Sequence, residues 1–128
     1  MIALSYSAPA VLVAEDEGTI AELRQRIRRS IAYRIAGLGE FHARATERQG
    51  LAAEVRAIRD RWRAGERAAA TSLVTDAMLE AQAIVGPAAQ ARRRLDEYRR
   101  HGADEVCLTF PPGVAAELRM RTLEALAP

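Results

Sequence analysis

The chain has 128 residues, a formal net charge of +2 and one cysteine, Cys107. That length holds one domain at most, the charge is too small for self-repulsion to favour disorder, and a lone thiol cannot form an intrachain disulfide. The composition excludes a membrane span, a collagen-like repeat and a disulfide scaffold, and with 27 alanines among the apolar residues, large side chains for a core are scarce.

Residues 3–14 read as an extended segment with Val11, Leu12 and Val13 as a short buried strand, and Pro9 fits only at its start. Glu15, Asp16 and Glu17 read as a solvated loop. Thr19-Ile20-Ala21-Glu22 has the spacing of a capping box, in which the Thr19 hydroxyl accepts from the Glu22 amide. Ile20, Leu23, Ile27, Ile31 and Ile35 then fall on one helical stripe, ended by Gly37 and Gly39. A short helix is predicted over 40–49, closed by Gly50. Leu51, Val55, Ile58 and Trp62 define the next apolar face, closed by Gly65. A helix over 68–73 follows, and Thr75 or Asp76 caps a further turn or two through Met78 and Leu79.

The pattern then changes. Ala83-Ile84-Val85 is a short apolar run before Gly86-Pro87. A helix over 88–101 carries Ala88, Ala91, Leu95 and Tyr98 on one face and ends at Gly102. Residues 105–110 read as a strand with Cys107 packed in it, and a last helix over 114–126 carries Leu118 and Leu123. The order β, α, β, α predicts that the two strands pair in parallel through a helical crossover.

A search for chemistry returns little. His42 and His101 have no ligands at metal spacing, no nucleophile elbow is present, and neither GxGxxG nor a P-loop occurs. The amides at Gly86-Pro87 sit where a phosphate is sometimes held, but an ordinary strand-to-helix turn is the simpler reading. Trp62 and Tyr98 fall on apolar stripes and read as packing. All 19 basic residues are arginine and the sequence pI is 9.2. Arg92, Arg93, Arg94, Arg99 and Arg100 are the residues a nucleic acid would use. Acids are interleaved with them, as Arg93 with Glu97 and Asp96 with Arg100, which is the pattern of a solvated helix face. No nucleic-acid partner is therefore expected. The run from Ala8 to Ala14 lacks the form of a signal peptide or anchor, so no membrane association is expected and a cytoplasmic location is.

Taken in order, these segments resemble the C-terminal part of the luciferase-like monooxygenase family. The residues that carry the resemblance are Ala83-Ile84-Val85-Gly86-Pro87-Ala88-Ala89-Gln90, Arg94-Leu95-Asp96-Glu97-Tyr98 and Gly102-Ala103-Asp104-Glu105-Val106-Cys107-Leu108. Upstream, Pro9–Ala14, Ala57–Gly65 and Val74–Leu79 resemble the strand, the "helix, Trp, small, Gly" segment and the short helix of the family's preceding region. The chain departs from the family pattern at Pro87, Ala88 and Ala89, where a Thr or Ser, a Pro and a Glu are usual. The helix that starts there thus lacks a side-chain cap of its own.

The resemblance implies an α/β fold: the C-terminal part of a (β/α)8 TIM-type barrel, helix-rich, with two or three short parallel strands. It divides the chain into a strand segment (1–14), a helical insertion (19–81) and the last two β/α units (82–128). It implies a flavin- or deazaflavin-dependent oxidoreductase or monooxygenase acting on a small organic substrate, with FMN or a deazaflavin coenzyme as cofactor. A whole barrel needs about 250 residues, and the family's coenzyme is held mainly by loops after earlier strands. No catalytic, cofactor-binding or metal-binding residue is therefore carried onto this chain, and the chain alone is expected to bind no coenzyme and to be inactive. The strand ends that would line a barrel mouth are Gly86, Pro87, Thr109, Phe110 and Pro111. The alternative is a non-catalytic, mostly helical interaction module or split half. Its partner would be a second copy or a complementing N-terminal barrel half.

Overall fold

The computed structural model describes residues 5–7 and 10–127. In chain order they form β1 (Ser5–Ser7), β2 (Val11–Val13), α1 (Glu17–Ala36), α2 (Phe41–Thr46), a wide turn (Glu47–Leu51), α3 (Ala52–Arg63), α4 (Arg67–Ser72), α5 (Asp76–Gln82), β3 (Ile84–Gly86), α6 (Ala88–Arg100), β4 (Glu105–Cys107) and α7 (Ala116–Leu126). The chain is thus helix-rich α/β with a few short parallel strands. It divides into two units, Met1–Arg24 with Gln82–Pro128, and Gln25–Ala81. Residues 3, 4, 8 and 9 of the expected extended segment lie outside the described residues.

In the first unit, β2 pairs in parallel with β3, Val11 opposite Ile84 and Val13 opposite Gly86. β1 pairs in parallel with β4, Ser5 opposite Glu105 and Ser7 opposite Cys107. The two strands predicted to pair with each other, at 84–86 and 105–107, therefore do not; each takes a partner from the N-terminal segment. Backbone groups of successive strand residues face alternate edges. The Ile84 amide donates to the Ala10 carbonyl (2.8 Å) and the Ala14 amide to the Gly86 carbonyl (3.0 Å), so residues 10 and 14 face β3. The Val11 amide faces the other way and donates to the Thr109 carbonyl at 3.1 Å. The reason lies in the side chains. Val11, Leu12 and Val13 are all buried, which suits a strand covered on both faces, whereas β4 is exposed at both ends. The strand expected over 105–110 is only three residues long, and Cys107 is exposed rather than packed.

Val11, Val13, Ile84 and Ala91 form the core of this unit, with Ala88, Leu95 and Tyr98 of α6 and Ala125 and Leu126 of α7 packed against it. The α6 stripe is the predicted one. The α7 stripe is not: Leu123 is 43% exposed, and the fully buried residue of that helix is Thr122. The start of α1 also differs from its expected capping box. Asp16 Oδ2 accepts from the Thr19 amide (2.7 Å) and the Thr19 hydroxyl (2.9 Å), so an Asp three residues upstream does the capping and the helix begins at Glu17. These two bonds hold the Asp16 carboxyl below the usual aspartate range.

In the second unit, Ile27, Ile31 and Ile35 of α1 are buried, as are Val55 and Ile58 of α3. Burial of one such side chain is worth about 1.5–3 kcal/mol. Gly39, Gly50 and Gly65 have φ of 81°, 87° and 80°, a left-handed conformation that side chains resist. Gly50 breaks the wide turn and separates α2 from α3. Thr75 accepts from the Met78 amide at 3.2 Å and caps α5 as expected. Arg59 forks onto both carboxylate oxygens of Glu40, Arg28 reaches Asp76, and Arg61 meets Glu66 at 2.7 Å. The Arg59 bond, and then the Arg59 charge, hold the Glu40 carboxyl below the usual glutamate range.

Candidate functional site

The sequence places its only candidate pocket at the strand ends, and the structure brings those residues to the two edges of β2. Gly86 ends β3 opposite Val13 and is buried, and Pro87 follows it at the start of α6. Thr109 lies on the opposite edge, hydrogen-bonded to Val11, with Phe110 and Pro111 half-buried beside it in sequence. Neighbouring strands lie about 4.8 Å apart. The Gly86 and Thr109 clusters therefore lie on either side of β2, separated by its width.

Two side chains that the sequence reading passed over close this region. Glu15, two residues beyond β2, accepts the Ala88 amide at 3.0 Å from a position 73 residues earlier. Pro87 has no side-chain donor or acceptor to cap α6, and Glu15 supplies the missing acceptor. A carboxylate at a helix N-terminus is favoured by the free amides and by the helix dipole. Gln90 lies over Gly86, so that a Cβ there would come within 2.7 Å of Gln90 Oε1. The second is Thr122. Its hydroxyl accepts from the Val13 amide at 3.1 Å and donates to the Leu118 carbonyl at 2.9 Å. Val13, like Val11, faces away from β3, so a side-chain hydroxyl takes the position that a neighbouring strand's carbonyl would fill. Part of the signal for Glu15 was available: an acid two residues beyond a strand, and a helix start at Pro87 without a cap of its own. No comparable pattern marks Thr122.

This chemistry does not fit a phosphate. The amide at the start of α6 already holds an anion, and none of Gly86, Pro87, Thr109, Phe110 and Pro111 carries a cation. Two arginines of α6 have partners within the chain: Arg92 donates to the Ala125 carbonyl, and Arg99 meets Asp96 at 3.8 Å. His101 contacts the Glu97 carbonyl through Nδ1 at 2.7 Å at the C-terminal end of the helix. Among the described residues, no group of three His, Cys, Asp or Glu side chains is arranged to hold a metal ion. No helix among them is long and apolar enough to cross a membrane.

No curated protein and no solved structure matches the chain. One family model does, that of the luciferase-like monooxygenases, over residues 3–105. The match takes in β1 to β3, all of α1 to α6 and the first residue of β4, and leaves α7 outside. The β2–β3 pair, the helical stretch between its strands and the β3–α6 unit all lie within it, and the chain belongs to the luciferase-like monooxygenase family.

Proposed function

We propose that the chain is the C-terminal portion of a (β/α)8 barrel oxidoreductase that uses FMN or a deazaflavin coenzyme on a small organic substrate. On this reading the chain binds no coenzyme by itself. The observation that carries it is Glu15 on the Ala88 amide. The strand-to-helix turn at the mouth end of β3 is closed by the chain's own carboxylate, so it serves as a wall and not as a phosphate cradle. The parallel pairing of β2 with β3, with α6 following β3, supports the barrel reading.

Titrating the isolated chain with FMN and with a deazaflavin coenzyme, followed by fluorescence, should give no saturable change. Micromolar binding of either overturns this reading of the chain alone. The coding DNA upstream of Met1 tests the larger reading: an open frame for about 200 residues of barrel supports it, and stop codons in frame overturn it.

A second reading is favoured by one observation. Met120 and Leu123, three residues apart on α7, are 54% and 43% exposed. Such a face suits a non-catalytic module that pairs with a partner, either a second copy or a complementing barrel half. Sedimentation of a clean monomer at high concentration counts against the second copy.

A further inference from the structure

Within the helical unit, a cleft of about 450 Å³ runs between α1, the end of α3 and α4. Gln25, Arg29 and Tyr33 line it from α1 at successive steps of four, so they form one row on that helix. Trp62 lines it from α3, and Arg67 and Thr71 line it from α4, again four apart. The volume is in the range of small-molecule sites, and none of the lining side chains is acidic.

Three features give the cleft a chemical preference. The Tyr33 and Trp62 rings stand 6.1 Å apart, tilted by 51°, and present two aromatic surfaces. Their approach depends on Gly37, where a Cβ would lie 2.8 Å from Tyr33 Cδ2 and 3.1 Å from Trp62 Cζ2. The Arg67 guanidinium sits 4.9 Å over the Trp62 ring and braces it. Arg29 and Arg67 are exposed and, among the described residues, neither meets a carboxylate, unlike Arg28, Arg59 and Arg61 of the same unit. An aromatic floor beside two guanidinium groups without a carboxylate partner among the described residues matches a flat ring that carries an acid, since guanidinium groups bond carboxylates through paired N–H donors.

We propose that this cleft binds a small aryl carboxylate, with the ring against Trp62 and Tyr33 and the carboxylate between Arg29 and Arg67. The site lies wholly within the helical unit and does not depend on the barrel reading. Trp62 is the only tryptophan, so its emission reports this site and no other. The probe is 4-nitrobenzoate, whose ring quenches indole emission, set against the uncharged 4-nitrobenzyl alcohol on the full chain.

The carboxylate should quench saturably, and the alcohol at least about tenfold more weakly. Arg29→Gln and Arg67→Gln together should bring the carboxylate to the level of the alcohol, with an unchanged far-ultraviolet dichroism spectrum as the check on folding. Arg48→Gln, outside the cleft, should leave quenching as it is. Linear quenching equal for the two probes overturns the proposal, and so does saturable quenching that survives loss of both arginines. If the double variant does not fold, the salt dependence of quenching in the unaltered chain decides: carboxylate affinity that does not fall with added salt overturns the proposal.

Discussion

The two units hold their polar backbone in different ways. In the strand-bearing unit, key backbone groups are satisfied by side chains far away in sequence: Glu15 reaches Ala88 across 73 positions, and Thr122 reaches Val13 across 109. In the helical unit the bonds are mostly local. Thr46 and Thr71, both buried, turn their hydroxyls back to the His42 and Arg67 carbonyls four residues earlier, and glycines end the helices. What joins one helix to another there is apolar burial and ion pairs such as Arg59 with Glu40. A unit closed by distant side chains can be opened at one residue, whereas a unit closed locally gives way through its core.

The largest effects should come from that core. Ile58 is fully buried, and Ile58→Ala should cost about 2–5 kcal/mol, read from denaturant unfolding followed by Trp62 emission. Leu12 is equally buried in the other unit, and Leu12→Ala should cost a similar amount, about 2–5 kcal/mol, in hydrogen exchange of the strand amides. If Leu12→Ala shifts the Trp62 transition as far as Ile58→Ala does, the two units unfold as one and the contrast between them fails.

Thr122→Val tests the distant closure directly. The shape is kept, but the Val13 amide loses its acceptor, and a buried unpaired amide costs about 1–3 kcal/mol. Thr122→Ser retains the hydroxyl and should cost about 0.8 kcal/mol for the lost methyl group. Equal losses in the two variants would mean that packing, not the hydrogen bond, holds α7 to β2.

In the helical unit the comparable test is acid. Glu40 has its carboxyl held low in the folded chain, so the stability it adds is complete above the ordinary glutamate range. That stability is lost as pH falls through the depressed folded value. Glu40→Gln should therefore be less stable than the unaltered chain near neutrality and converge with it in acid. A constant gap from pH 7 to strong acid would show that the pair does not act through its charge. The smallest effect is expected at the cap of α6. Glu15→Gln keeps an acceptor but loses the charge at the helix N-terminus, for about 0.3–1 kcal/mol at an exposed site, read from thermal unfolding at low salt.

Legibility in the sequence follows the same division. The helices, their glycine stops, the Thr75 cap and the buried stripes of α1, α3 and α6 could be read because they depend on spacings of three and four and on conformations that only glycine adopts readily. The β2 strand was legible from Val11-Leu12-Val13 alone. Its neighbours were not, because pairing is a choice among strands far apart in the chain, and the rule that consecutive strands pair pointed to Glu105–Cys107 beside Ile84–Gly86. The α7 stripe was misread for a related reason. Leu118 and Leu123 drew attention as the large apolar residues, while the residue that goes fully inside, Thr122, does so to meet the polar backbone of a strand at the other end of the chain. At the start of α6, Pro87 and the two alanines after it made the missing cap legible, but not which distant side chain supplies it: Glu15 reads from sequence as part of a solvated loop.

The closure of β2 bears on how copies of the chain behave in a crowded solution. A bare strand edge is a template onto which another chain can add its own strand, and so on without limit. Here the Val11 amide is engaged by Thr109, the Val13 amide by Thr122, and the opposite edge by β3. The most apolar strand of the molecule therefore offers no vacant donor at these positions to an incoming chain. Loss of the Thr122 hydroxyl would free one such donor, and the solubility of Thr122→Val at high concentration, set against that of Thr122→Ser, checks whether that edge matters to association.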